Sequence, residues 1–326
     1  KLNKMKFTLI IFAVFFASIT TSTHAQAPAK YPNKTITLVV PYPVGGSNDV
    51  FARQIAKSLG EALKVSVVVD NRPGASGTTG TIQVSKAAPD GYTLLAVSSS
   101  MTTNAAIQAK SNFDPAVDLT PVAMLARGPF IVAVNDSLPV KNPAELIALL
   151  KANPGKFNYA SSGAGSTNQF ATELMKVMSG TFVLHIPYRG MPPAVTDLIG
   201  GQTQLLLASG PSLFPQVRNG RIRAIGITSL KPSVIAPDLI PMSTVIPGYE
   251  FELWWGIFAP PGTPSEIVAT INQEINKILN QPETKASFIR EGAESYPLTP
   301  AQFSARMNSD IARWKKIAKQ QNITAE

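Results

Sequence analysis

"VVPYPVGGSNDVFARQIAKSLGEAL" (Val39–Leu63) reads as a β-strand, a glycine turn and an amphipathic helix. A strand that leads through glycines into a helix N-terminus presents free backbone N–H groups, the layout of an anion site. No lysine follows Gly45 and Gly46, and Asp49 stands where a phosphate would favour positive charge. A pyrophosphate or triphosphate therefore fits poorly. A carboxylate carries one charge, which neutral N–H and O–H donors at a helix start can satisfy. Asp49 at that start reads as a capping acid, favourable against the helix dipole, in preference to a ligand contact.

Working outward, the same unit of apolar strand, small-residue loop and helical pattern recurs along the chain. Alternating strands and helices imply parallel sheets covered by helices on both faces, with strands apolar all round. The length of 326 residues accommodates two such α/β domains. Near the end, "TPSEIVATINQEINKILN" is a clear helix, with Thr263 expected as N-cap and Pro264 in the first turn. Ligands of open α/β sheets sit beyond the carboxyl ends of the strands. The loops there are Val44–Asp49, Gly74–Gly80, Ser98–Asn104, Ser161–Gln169 and Ala208–Ser212. All are built from Gly, Ser, Thr, Asn and Ala, and Asp49 is their single acid. Glycine lets backbone approach a ligand, and hydroxyls add neutral donors.

The N-terminus reads as a secretory signal peptide over residues 1–27. Lys1, Lys4 and Lys6 precede the short apolar run "FTLIIFAVFFASI", and "THAQA" offers cleavage after Ala25 or Ala27. An uncleaved anchor is the alternative. No later segment is apolar over about 18 residues, so no stable membrane insertion is expected after cleavage. Cysteine is absent, which removes disulfides, thiol catalysis and lipid attachment. His24 and His185 are the only imidazoles, so no metal site is expected. Loss of three lysines and no acids lowers the formal charge from +9 to +6. That charge is dispersed, with no Lys/Arg run and no interleaved aromatics, so nucleic acid is not expected as a partner. A mild positive field suits an anionic small molecule or simple solubility.

Catalytic patterns are missing. There is no G-x-S-x-G elbow, no paired carboxylates in the loops, and His185 lies in an apolar strand as a structural histidine would. No cofactor or catalytic residue is expected. Arg189 suits bidentate contact with a carboxylate, but Asp197 could equally hold it in a salt bridge. Trp254 and Trp255 read as core or hinge packing.

Taken together, these stretches resemble one family, the tripartite tricarboxylate transporter (Bug) receptors, which are periplasmic solute-binding proteins. The similarity runs in order through "YPNKTITLVVPYPVGGSNDVFAR", "VVVDNRPGASGTTG", "AAPDGYTLL", "YASSGAGSTNQFATELMK", "HIPYRGMPPAVTDLIGGQ", "GRIRAIGITS" and "WWGIFAPPGTP". The resemblance implies a type II periplasmic-binding-protein fold, two α/β domains joined by a hinge around a ligand cleft. Domain 1 would be residues 28–127 plus 227–326, and domain 2 residues 128–226. It implies capture of a small carboxylate by domain closure, and a two-component membrane permease or a signalling partner. Carried over, the grip would involve Tyr42, Gly45, Gly46, Ser47 and Asn48, with Ala75, Ser76, Gly77 and Ser99 nearby. Ser161, Gly163, Ser166, Thr167, Arg189, Ala208 and Ser209 would face them.

Two positions depart from the family pattern. Gln169 stands where many relatives carry histidine, and Ala208–Ser209 where many carry an Asp-Asn-type pair. Loss of that acid argues against an amino-acid ligand and for an aromatic or medium-chain aliphatic acid. A secreted α/β hydrolase or isomerase is the rival reading, and would need a poised nucleophile or base in the cleft.

Overall fold

The computed structural model describes residues 31–107, 113–321, 323 and 324. The expected signal peptide and His24 lie outside the described residues. Residues Lys34–Glu326 form one compact unit.

In chain order, the unit opens with β1 (Ile36–Val40), α1 (Ser47–Leu63), β2 (Val67–Asn71), α2 (Thr78–Ser85), β3 (Thr93–Ser98), α3 (Ser100–Ile107) and the short α4 (Pro115–Asp118). The long strand β4 (Thr120–Asn135) leads to α5 (Pro143–Ala152), β5 (Asn158–Ser161), α6 (Thr167–Ser179), β6 (Leu184–Pro187), α7 (Met191–Ile199), β7 (Leu205–Ser209) and α8 (Gly210–Arg218). The chain then returns through β8 (Ile222–Ile227) and β9 (Glu252–Ala259) to α9 (Ser265–Asn280), α10 (Pro282–Glu291), β10 (Glu294–Ser295) and α11 (Pro300–Gln321).

Strand order is β2-β1-β3-β9-β4-β7-β5-β6, with β8 and β10 also paired to β4. β1 pairs in parallel with β2 and β3, and β5 with β6 and β7. The expectation of wholly parallel sheets is corrected here. β9 runs antiparallel to β3 and β4, and β4 antiparallel to β7 and β8. A chain that crosses from one half to the other and back inserts strands of opposite direction, β9 in the first half and β4 in the second, while β8 runs the same way as β7. Partners along β4 change between Pro129, opposite Glu252, and Phe130, opposite Ser209. The expectation of strands apolar all round also fails at the edges, where β2 and β6 have no fully buried residue and β2 ends in Asp70 and Asn71.

Local chemistry explains most element limits. α1 buries Phe51, Ala52, Ile55, Ala56 and Leu59, a helical stripe against β1 and β3, and ends at Lys64 in the left-handed region. Asn142 and Ser166 cap α5 and α6 by accepting the N–H of Glu145 and Gln169. Thr263 does not cap α9. Its hydroxyl donates back to the Pro260 carbonyl at 2.8 Å, and the helix starts at Ser265 after Pro264.

The C-terminal helix ties the halves together. Phe303 and Met307 of α11 pack with Trp254 and Phe258, while Trp314 stacks on Phe251 and meets Phe170 of α6 edge-on. Trp254 and Trp255 are both buried, as packing residues should be. Trp254 donates its indole N–H to Asp310 Oδ2 at 2.7 Å, and Arg306 reaches the same carboxylate at 3.0 Å and Glu252 at 3.0 Å. Asp310→Ala would strand a buried indole N–H and a partly buried guanidinium. Urea unfolding should register a loss of about 3 kcal/mol. Asp136→Ala, which breaks the exposed pair with Arg223, should cost less than about 1 kcal/mol.

Candidate functional site

The loops at the carboxyl ends of β1, β3, β5 and β7 converge on a crevice between the two halves. Its lining includes Tyr42, Gly46, Ser47, Asn48, Thr167 and Ser209, all expected from the sequence. No charged side chain lines it, and its volume is about 40 Å³. A wider cavity of about 610 Å³ adjoins it, sharing Tyr42, Pro43 and Ser162 and lined further by Ala75, Ser76, Gly77 and Arg189.

The start of α1 is the crevice's main polar feature. Gly46 occupies the N-cap position in extended conformation and supplies no side-chain cap. The first N–H groups of the helix are thus left for another partner. Ser47 Oγ accepts the Trp255 indole N–H at 3.1 Å and keeps its own proton to donate. Asn48 Oδ1 is buried and has no hydrogen-bond partner among the described residues. Leaving such a group unmet costs about 1–3 kcal/mol, which a ligand can recover. Tyr42 sits below, with its hydroxyl bonded to Ser98 and Ser100, and burial pushes its pKa up to about 12. It is a neutral donor at any ordinary pH.

Asp49 is buried behind this loop. Its carboxylate accepts the N–H of Gly45 at 3.1 Å, Arg53 Nε at 3.0 Å and Asn71 Nδ2 at 2.9 Å, and Asn71 also donates to the Tyr42 carbonyl at 3.1 Å. Burial by itself would raise the carboxyl, but Arg53, the Gly45 N–H and Asn71 outweigh it and hold the group below the usual carboxylate range. Asp49 is therefore a first-turn acid that shapes the loop, not a ligand contact and not an N-cap side chain. Gly45, at φ +87°, makes the turn. Its N–H, expected to face a ligand, donates to Asp49 instead, and Gly45 is not among the residues lining the crevice.

Several other expected residues support the site from behind. Ser99 Oγ accepts the Trp254 backbone N–H at 3.4 Å. Ser161 is fully buried, accepts the Gly163 N–H at 3.1 Å and lies 2.6 Å from His185 Nε2. Ser166 caps α6, and Ala208 belongs to an apolar cluster with Ile131 and Leu206. Gly163 meets the opposite half, where a Cβ would lie 2.6 Å from Ser76 Oγ. Gln169, at the position where histidine was the family pattern, accepts the Gly165 N–H at 2.7 Å and fixes the loop. Arg189 forms no salt bridge with Asp197, which instead accepts the Tyr188 hydroxyl at 2.7 Å. The Ser161–His185 pair has hydrolase-like spacing, but a serine with no exposure offers a substrate no approach.

The crevice also includes Ser98, Ser100, Ser162, Asn168 and Ser212, which lie in the expected loops without being singled out, and Phe130, Met191, Pro192 and Leu253, which sequence reasoning missed. Strand alternation held part of the signal. Tyr159 and Ser161 share the face that carries His185, so Ser162 turns the other way. Direct contacts already join the halves here. Ser100 Oγ lies 3.0 Å from Thr167 Oγ1, Thr103 donates to the Gly165 carbonyl at 3.1 Å, and Ser76 to that of Ala164 at 2.8 Å. Ala75 and Ser76 hold positive φ, 45° and 53°, to make that reach.

Residues 51–323 match the family model described as "Tripartite tricarboxylate transporter family receptor". The chain belongs to this receptor family. It is 33% identical to Protein BugT of Bordetella pertussis over 315 residues, covering 96% of each chain. Among solved structures it is similar to Rpa4515 of R. palustris with adipate, at TM-score 0.87 and 34% identity, covering 90% of this chain and 99% of that one. It is similar also to MatC from Rhodopseudomonas palustris with bound malate, at TM-score 0.83 and 28% identity, covering 88% and 99%. The receptor thus has the two-domain α/β fold of periplasmic solute-binding proteins, as the sequence led one to expect.

In this receptor the Asp49 carboxylate sets the loop, and its depressed pKa gives the sign of a pH effect. Its stabilisation is complete above the unfolded value, near pH 4, and is lost as pH falls through the lower folded value. Asp49→Asn should lower stability by about 1–3 kcal/mol at pH 7. Urea titrations should show that gap closing below about pH 4, whereas a gap constant down to pH 3 would remove the carboxylate from this role.

Proposed function

We propose that the chain is a periplasmic receptor that captures a small carboxylate by closure of its two halves and presents it to a membrane permease. The observation that carries this reading is the uncapped N-terminus of α1, opening on a neutral, hydroxyl-lined crevice between the halves. One carboxylate would lie against the Ser47 and Asn48 N–H groups, with Tyr42, Gly46, Thr167 and Ser209 around it. The family match supports a receptor role, and the adipate and malate held by two similar proteins support an acid as cargo. Closure energy would come from the ligand's contacts to both halves.

The proposed division assigns residues 28–127 and 227–326 to one domain and 128–226 to the other. The change of partners along β4 at Pro129 and Phe130 supports it. The reading includes release to the periplasm after cleavage of residues 1–27. No helix among the described residues is long and apolar enough to cross a membrane. Binding alone, with no turnover, is the proposed activity.

The test is differential scanning fluorimetry of the mature chain against aliphatic and aromatic mono-, di- and tricarboxylic acids. Several acids should raise Tm, and their recovery unchanged after incubation should exclude turnover. Stabilisation by amines or sugars and by no acid would overturn the reading. Gly46→Val is the sharper probe. A Cβ at Gly46 meets only Pro43 O, at 3.7 Å, so the variant should fold normally yet fill the grip and lose at least about tenfold in affinity.

A further inference from the structure

We infer that a groove on the reverse face of the crossing strands governs how readily the two halves close, so that residues remote from cargo set its affinity. The inference rests on the reading of capture by closure and adds what controls that closure. The groove has a volume of about 450 Å³ and is lined by Arg127, Pro129, Ser229, Val234, Glu252 and Glu294 among others. It shares no lining residue with the crevice or with the cavity that adjoins it.

Strand alternation puts groove and crevice on opposite faces of one ladder. Pro129 and Glu252, paired across β4 and β9, line the groove, while their neighbours Phe130 and Leu253 line the crevice. Thr228, fully buried at the end of β8, is the fulcrum between them. Its N–H donates to the Phe130 carbonyl at 2.9 Å, and its carbonyl accepts the Phe251 N–H at 3.0 Å. Its hydroxyl accepts the Phe130 N–H at 2.8 Å and donates to the Phe251 carbonyl at 2.7 Å. Both crossing strands are thus clamped at one point. Pro129, beside it, has no N–H to add to the ladder.

The walls of the groove belong to different halves. On one side Arg127 pairs with Glu252 at 3.5 Å and with Glu294 at 3.7 Å, and its guanidinium covers the Tyr296 ring at 4.1 Å. On the other, the loop of residues 229–235 buries Ile235 in one apolar cluster with Ile131, Leu206 and Ile227. That packing ties the loop to the second half, although it lies past the boundary proposed at residue 227. Rotation about Thr228 that narrows the crevice widens the groove. Bulk added to the groove therefore wedges its walls apart and favours the closed form. Apparent affinity scales with the fraction of protein already competent to bind, so such a wedge tightens binding without touching cargo.

The test uses the mature chain, whose lack of cysteine allows spin labels to be placed through Val44→Cys and Thr196→Cys. Both positions are exposed, and they flank the mouth where Gly190 approaches Pro43. Double electron–electron resonance without ligand should show a larger short-distance population, by at least about threefold, in Val234→Trp and in Glu294→Trp, which add bulk from opposite walls. Val117→Trp, at a comparably exposed valine on α4, should leave the distances unchanged. Calorimetry with adipate should give a Kd about three- to tenfold lower for either wedge variant than for its parent. Distances unchanged in both wedge variants, or shifted equally by Val117→Trp, would overturn the inference. So would equal adipate affinity in parent and wedge variants despite shorter distances. Shifted distances with no binding by adipate or any acid of the fluorimetry panel would uphold the control of closure and overturn the carboxylate reading.

Discussion

A single backbone ladder underlies the fold. β4 spans sixteen residues, Thr120–Asn135, and pairs with β9 along its first part and with β7 and β8 along its second. Its backbone donors and acceptors are distributed between the halves, so neither sheet is complete without it. Buried N–H and C=O groups must be paired, which fixes where the return strands β8 and β9 lie. The remaining architecture follows from that crossing. Parallel units lie on each outer side, the loops at their carboxyl ends face one another, and α11 lies across both.

The proposed grip rests on geometry and neutral dipoles. Its charges are kept out of the crevice, with Asp49 and Arg53 paired behind the glycine loop. An anion placed at α1 therefore meets helix N–H groups and hydroxyl donors without competing with a fixed carboxylate. Tyr42, Ser98 and Ser100 share a hydrogen-bond chain that orients these donors in advance. The contacts between the halves are likewise neutral, so salt should touch them little.

Much of this was legible in the sequence. The strand–glycine–helix pattern at Val39–Leu63 pointed to the helix start that lines the crevice, and the absence of lysine there argued against a phosphate loop. Six expected residues line the crevice because loops beyond parallel strands converge by topology. What could not be read was side-chain direction within each loop. Ser161 and Ser162 are indistinguishable by composition, yet one turns to His185 and the other to the crevice. Gly45 and Gly46 likewise look equivalent until Asp49 claims one N–H. Phe130 and Leu253 escaped because they lie in crossing strands whose apolar pattern reads only as core. The antiparallel insertions were invisible for a related reason, since strand direction depends on long-range return and not on local period.

The Asp49 arrangement has a wider consequence. Carboxylate, guanidinium and Asn71 amide fasten the loop from its rear, through Gly45 and the Tyr42 carbonyl, while the atoms that would meet cargo point forward. Frame and contact surface are thus made by different chemical groups. Substitutions among the forward residues can change what is carried without dismantling the frame that carries it. Such a separation makes the molecule a chassis, on which new preferences can be written by exchanging short side chains.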